Sequence, residues 1–335
     1  AGFVLSACGS NAAAPVEEPA ATEAPAAVAT EALAAESGIL PEVDPSMVTG
    51  DIISAGSSTV YPLSEAIEKL FEEEGYTGQH TLSSIGSGAG FERFCKTGEI
   101  DIANASRSIK DAEKELCAAL TPARTPIEFR VGTDAIAVVV SKENTFLTNV
   151  TMEELALIFT TAQKWSDVNP AWPAEDILRY TPGTDSGTFD FFTEVVVQKP
   201  QKLEKLDEAK ALVLAASNLQ TSEDDNTLVQ GVEGSPYAIG YFGFAYYNDQ
   251  ADKLTAISVD DVAPSFDTAE DGSYKLSRPL FIYSDAGIIK SKPQVGAFIN
   301  FYLTRVNEVI GEVGYFPASE EALNEAKMKL AEILK

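Results

Sequence analysis

The chain has 335 residues, 45% of them hydrophobic, enough for two lobes that each bury a core of their own. Lys and Arg number 24 against 51 Asp and Glu, a formal charge of −27, and nothing resembles the basic face that nucleic-acid binding requires. A small oxyanion is not excluded, because it feels the few donors around it while distant surface charge is screened over about 8–10 Å.

The first residues, Ala1-Gly2-Phe3-Val4-Leu5-Ser6-Ala7-Cys8, are an apolar piece followed by small residues before a cysteine, the pattern of a signal-peptide end. Leu5-Ser6-Ala7-Cys8 resembles the bacterial lipobox, in which the chain is cut before the cysteine and the cysteine is lipidated. Residues 1–8 are therefore expected to be a signal remnant and Cys8 a lipid anchor. Residues 9–45 are rich in Ala, Pro and Glu and cannot bury enough surface to offset the entropy of ordering them. A disordered tether is expected over 9–49, with the fold beginning at 50. No later stretch approaches the ~20 apolar residues of a spanning helix. The expected location is extracytoplasmic, held to the membrane by the lipid alone.

From Asp51 a unit recurs: a short apolar strand, a loop of Gly, Ser and Thr, then an amphipathic helix. In the first, Ile52-Ile53 precedes Gly56-Ser57-Ser58-Thr59, and Leu63, Ile67, Leu70 and Phe71 recur at helical spacing. Ser58 or Thr59 is expected as N-cap, with Pro62 in the first turn. The second unit runs His80 to Ile85, then Gly86-Ser87-Gly88-Ala89-Gly90 and a short helix through Phe91 and Phe94. The third is Ile100-Asp101-Ile102-Ala103, then Asn104-Ala105-Ser106-Arg107 and a helix from Lys110 to Leu120.

Cys95 and Cys117 are expected to form a disulfide, the default for a cysteine pair in an exported chain. A metal site is disfavoured, since His80 is the single histidine and there is no CxxC. His80 itself is expected to be a satisfied strand residue. Neither metal nor cofactor is expected.

Ala135 to Val140 is continuous and rich in β-branched residues, which predicts a buried parallel strand. Thr151 caps a helix to Phe159, with Glu154 in capping-box position. The fourth unit runs Ile177-Leu178-Arg179-Tyr180, then Pro182-Gly183-Thr184-Asp185-Ser186-Gly187-Thr188 and a helix through Phe192 and Val196. Tyr237 to Phe242 and Leu280 to Tyr283 read as strands, and two helices, about 291–307 and 319–334, close the chain. Strands alternating with helices predict an α/β fold with mainly parallel sheets.

In open parallel sheets, ligands bind beyond the carboxyl ends of the strands. Here those ends run into helix N-termini, whose unpaired N–H groups carry roughly +0.5 charge. Small residues let the backbone approach and hydroxyls add donors, which describes an oxyanion site. Arg107, directly after Ser106, offers a planar fork suited to such an ion. Enzyme signatures are missing: no GxSxG elbow, no HExxH, no Walker lysine, and no base for Ser87 or Ser186. A binding protein is expected, not an enzyme.

Several of these segments, in order, resemble the phosphate-specific substrate-binding lipoproteins of bacterial ABC phosphate transporters. They are Ala55-Gly56-Ser57-Ser58-Thr59-Val60-Tyr61-Pro62-Leu63, Ile85-Gly86-Ser87-Gly88-Ala89-Gly90 and Asp101-Ile102-Ala103-Asn104-Ala105-Ser106-Arg107, then Pro182-Gly183-Thr184-Asp185-Ser186-Gly187-Thr188 and Ala238-Ile239-Gly240-Tyr241. The resemblance implies a type II periplasmic-binding-protein fold, two α/β lobes joined by two hinge strands. Lobe I would comprise 50–138 plus 277–335, and lobe II 139–276. It implies inorganic phosphate as ligand, with Ser58, Thr59 and Ser87 donating from one lobe and Ser186, Gly187 and Thr188 from the other. It implies a monomer that serves a membrane permease and ATPase.

The best-known members carry an aspartate where Ser106 stands and an arginine close to Pro182. This chain is similar to a subgroup with Ser-Arg in the third loop, so Arg107 takes the charge role and Arg179 is the weaker candidate. Asp134 and Asp185 are the candidates to replace the missing carboxylate; Asp185 could instead orient Arg107. Another oxyanion as ligand, a secreted phosphoester hydrolase, and a surface sensor or adhesin are the alternative readings.

Overall fold

The structure, a computed structural model, describes residues 38–184 and 186–335. The expected signal remnant, Cys8, most of the tether and Asp185 lie outside the described residues.

Eleven strands are formed among the described residues: β1 (Ile52–Gly56), β2 (His80–Ser84), β3 (Ile102–Ala105), β4 (Ile127–Ser141), β5 (Asn149–Val150), β6 (Leu178–Pro182), β7 (Leu219–Ser222), β8 (Ala238–Gly243), β9 (Leu254–Ala256), β10 (Ser258–Val259) and β11 (Ser277–Ser284). The main sheet has the order β2-β1-β3-β11-β4-β8-β6-β7, with β9 also on β4. β1 pairs in parallel with β2 and β3 at one end, and β6 with β7 and β8 at the other. These are the sheets of two lobes. Between them β11 is antiparallel to β3 and β4, and β4 is antiparallel to β8 and β9.

The sheet is thus parallel only within each lobe, and Ala135–Val140 lies in an antiparallel strand, not the parallel one expected. Its unbroken apolar pattern reports burial on both faces, whatever the strand direction. Ile136, Val138 and Val140 point into one core and Ala135, Ala137 and Val139 into another. The chain crosses between lobes along β4 and returns before β11.

Each lobe buries its own core. In the first, Val60, Leu63, Ile67 and Phe71 pack against Phe298, Phe301 and Tyr302 of the helix Pro293–Val309. In the second, Phe159, Trp165, Phe192 and Tyr241 are fully buried, with Phe192 stacked on Tyr241 at 3.7 Å between ring centroids.

The fold begins before residue 50. Leu40 is buried in the first core, with Val43 and Val48 packed beside it. Asn300 Nδ2 donates to Pro41 O at 2.9 Å. The average composition of 9–49 conceals these few apolar side chains, and they pin 38–49 to the first lobe.

Cys95 and Cys117 form a disulfide inside a smaller core behind the second and third loops. His80 lies in strand β2 with Nε2 2.8 Å from Ser54 Oγ, while its buried Nδ1 has no hydrogen-bond partner among the described residues, so the expected satisfaction holds for one ring nitrogen only. Thr151 and Glu154 form the capping box read from sequence. Among the described residues no helix is long and apolar enough to cross a membrane.

Candidate functional site

The loops after β1, β2, β3 and β6 converge. Gly56 has φ +147°, and a Cβ there would lie 2.0 Å from Asn104 O. Only glycine allows this crossing, at which Ser57 N donates to Asn104 O at 2.8 Å. The loops after β1 and β3 are thereby welded together.

The N-cap of the helix Tyr61–Glu73 is Val60, with no side-chain cap, and not Ser58 or Thr59 as expected. Ser57 Oγ takes up the slack, accepting from Thr59 N at 3.2 Å and Val60 N at 3.4 Å. The Ser58 and Thr59 hydroxyls are therefore not consumed by capping. Ser87 Oγ accepts from Ser106 N at 3.1 Å and lies 3.3 Å from Ser106 Oγ, which joins the second and third loops.

From the second lobe, Ser186 caps the helix Gly187–Phe192, its Oγ accepting from Thr188 N at 3.2 Å. The helical path continues through a π-helical turn to Gln198. A Cβ built on Gly187 would lie 3.3 Å from Thr59 Cα and 3.5 Å from Ser58 O. The first and fourth loops therefore face each other across the gap between the lobes, and the lobes are closed.

Two cavities flank this point. One of about 530 Å³ is lined by Ser58, Ser186, Gly187 and Thr188. The other, about 1030 Å³, is lined by Ser58, Thr59, Ser87, Ser106 and Arg107. Eight of the nine ligand residues expected from sequence thus surround one cleft.

The ninth, Asp134, lies behind it on β4, fully buried, with Oδ2 accepting from Arg278 Nε at 2.9 Å. Its Oδ1 has no partner among the described residues. Burial pushes its carboxyl pKa up, and Arg278 pulls it back.

The arginines divide differently from the sequence reading. Arg107 lines the cleft but is clamped by its own lobe, donating to Glu113 from Nη1 at 2.9 Å and Nη2 at 2.7 Å. Arg179 is outside the cleft altogether. It is fully buried and donates to the carbonyls of Ile158, Ala162 and Ser217, knitting the second lobe together. Burial pushes its pKa down to about 10.

Arg278 was missed by sequence reasoning. It opens β11, lines the larger cavity, donates from Nη2 to Gly187 O at 3.2 Å, and stacks 3.8 Å above the Phe191 ring. The available signal was a cation opening a strand that is otherwise apolar, in Ser277-Arg278-Pro279-Leu280-Phe281. It adjoins no glycine-rich loop.

The lining mixes apolar side chains and carboxylates, Glu65, Asp190 and Glu194 among them, with hydroxyls, backbone N–H groups and the guanidinium groups of Arg107 and Arg278. The hydroxyls, N–H groups and guanidinium groups are donors suited to a small tetrahedral anion.

Comparison with known proteins points the same way. The sequence profile of the PBP superfamily domain matches residues 20–306. Protein SphX of Synechocystis sp. is 41% identical over 298 residues, covering 85% of this chain and 83% of that protein. The phosphate-binding protein PstS of Staphylococcus saprophyticus is 34% identical over 292 residues, 85% of this chain and 86% of its own. A possible phosphate binding protein from Planctomyces limnophilus superposes with a TM-score of 0.77 at 36% identity, covering 86% of this chain and 100% of that one.

Proposed function

The chain belongs to the phosphate substrate-binding family of the PBP superfamily, whose members bind and do not turn over their ligand, and we propose that it captures inorganic phosphate between its lobes and delivers it to an ABC transporter. Delivery would be to a permease with its ATPase, outside the cytoplasm, with Cys8 as the lipid anchor and the protein acting as a monomer.

The observation that carries the reading is the meeting of Ser58 and Thr59 with Gly187 across the interlobe gap. Donors from both lobes then surround one ion. Ser58, Thr59, Ser87 and Ser106 act from the first lobe, and Ser186, Gly187 and Thr188 from the second. Each lobe alone offers half a coordination sphere, so the ion stabilises closure by touching both. Closure excludes water, and charge-assisted hydrogen bonds to the bound ion strengthen in the drier site.

Calorimetric titration of the protein, freed of bound anion by partial unfolding and dialysis, tests the proposal. The expected result is one phosphate per chain, with binding unaffected by a hundredfold excess of sulfate. No heat with phosphate, or equal competition by sulfate, contradicts it.

A further inference from the structure

Resting on the phosphate reading of the cleft, we propose that Arg278 supplies the charge that holds the anion, and that the buried Asp134 is the residue that positions it. Arg107, the cation adjoining the third loop, does not fill that role.

The two guanidinium groups are held in opposite ways. Glu113 takes both Nη1 and Nη2 of Arg107, and the remaining contacts are to Ser108 O and the Phe91 face, all within the first lobe. A bidentate carboxylate occupies the same fork that would grip an oxyanion. Arg107 is thus spent on its own lobe.

Arg278 is held from the side. Asp134 takes only Nε, which leaves the Nη edge directed elsewhere. One hydrogen of Nη2 goes to Gly187 O, and Nη1 makes no hydrogen bond to the described residues. The side chain is 11% exposed and lines the larger cavity. These donors open into that cavity, where an anion can accept from them in place of water.

Its position is also central. Arg278 stands at the second crossing between lobes and touches Gly187, which in turn meets Thr59. Tyr315 closes the same corner, its hydroxyl donating to Thr59 O at 2.9 Å. One guanidinium here contacts the loop of one lobe while anchored to the strand that enters it.

Asp134 reaches the ligand only through Arg278. It is wholly buried, lines neither cavity beside the cleft, and among the described residues its one ion-pair partner is Arg278. The idle Oδ1 shows how little else retains this carboxylate in the interior. Its role is to fix the fork's direction and to keep the guanidinium from folding onto another acceptor.

The test is phosphate titration of the full chain and of folded variants checked by circular dichroism. Arg278→Gln is expected to bind about 100-fold more weakly. Arg107→Ala is expected to stay within about fivefold of wild type, as for a partner already neutralised. Arg278→Lys keeps the charge but loses the fork, and is expected near tenfold weaker, a partial rescue.

Asp134→Asn is expected to weaken binding about tenfold in the wild-type background and to have no further effect beside Arg278→Gln. Wild-type affinity in either Arg278 variant, or loss of binding in Arg107→Ala, overturns the assignment. An additive Asp134 effect in the double variant overturns the positioning role. Failure of the wild-type protein to bind phosphate would instead remove the reading on which both rest.

Discussion

Gly187 carries no side chain at the point where the lobes meet. A Cβ there would sit 3.3 Å from Thr59 Cα, tighter than relaxed packing allows, and the obstacle is backbone rather than a movable side chain. Gly187→Ala should therefore hold the lobes apart by a few tenths of an ångström while leaving each core intact. Phosphate affinity is expected to fall about tenfold, with thermal stability of the unliganded protein within about 0.5 kcal/mol of wild type. Unchanged affinity in titration would show that closure does not pass through this contact.

The loop residues were legible in the sequence because small and hydroxyl residues after strand patterns have few other uses in such numbers. Arg278 was not. Its neighbours in space, Asp134 and Gly187, are 144 and 91 residues away in sequence. No local pattern joins them. Arg107 looked suitable because it follows Ser106, yet Glu113, placed for a cap on the helix Asp111–Ala119, claims it.

At the scale of elements, the helix Tyr61–Glu73 and strand β2 share a titratable pair. His80 Nδ1 faces Glu68 Oε1 at 3.7 Å. Burial lowers the His80 pKa from 6.5 to about 4. Burial, with Glu72 and Glu65 nearby, raises that of Glu68 from 4.5 to about 7.

The two act with opposite sign. As pH falls from 6.5, the unfolded chain protonates His80 and the native one does not, so stability is lost towards acid. As pH rises from 4.5, the unfolded chain releases the Glu68 proton and the native one keeps it, so stability is lost towards base. Between 4.5 and 6.5 the slopes offset. His80→Gln removes one of them. As pH rises across this window its unfolding free energy, from urea melts, should fall by about 2 kcal/mol relative to the nearly level wild type. Equal slopes would exclude the arrangement.

Residues 38–49 give a second element-scale prediction. Leu40→Ala should cost about 2 kcal/mol of global stability, as for a buried leucine near a chain end. A loss under about 0.5 kcal/mol would mean that this segment frays without consequence.

Strand and helix types were read well from periodicity, as in Leu63, Ile67 and Phe71. Strand direction in β4 was not, since period-free apolar runs carry burial but no direction. Nor was the seating of Leu40, Val43 and Val48, a few apolar side chains at the end of a long segment poor in them.

At the scale of the whole molecule, a formal charge of −27 surrounds a cleft proposed to bind an anion. The two are compatible because screening limits the reach of surface carboxylates while the cleft donors touch the ion. Two lobes with separate cores, joined by β4 and the return into β11, can close as nearly rigid bodies around that ion. The pairing of lobes through β4 and β11 is invisible to any local reading, as it depends on segments more than a hundred residues apart.

The account turns on where the ion sits. The most direct measurement is a crystal structure of the protein grown with phosphate. The account predicts tetrahedral density in the interlobe cleft, within hydrogen-bond distance of Ser58 or Thr59, of Gly187 or Thr188, and of an Arg278 nitrogen. Phosphate bound by one lobe alone, or an empty cleft with the ion elsewhere, would contradict it.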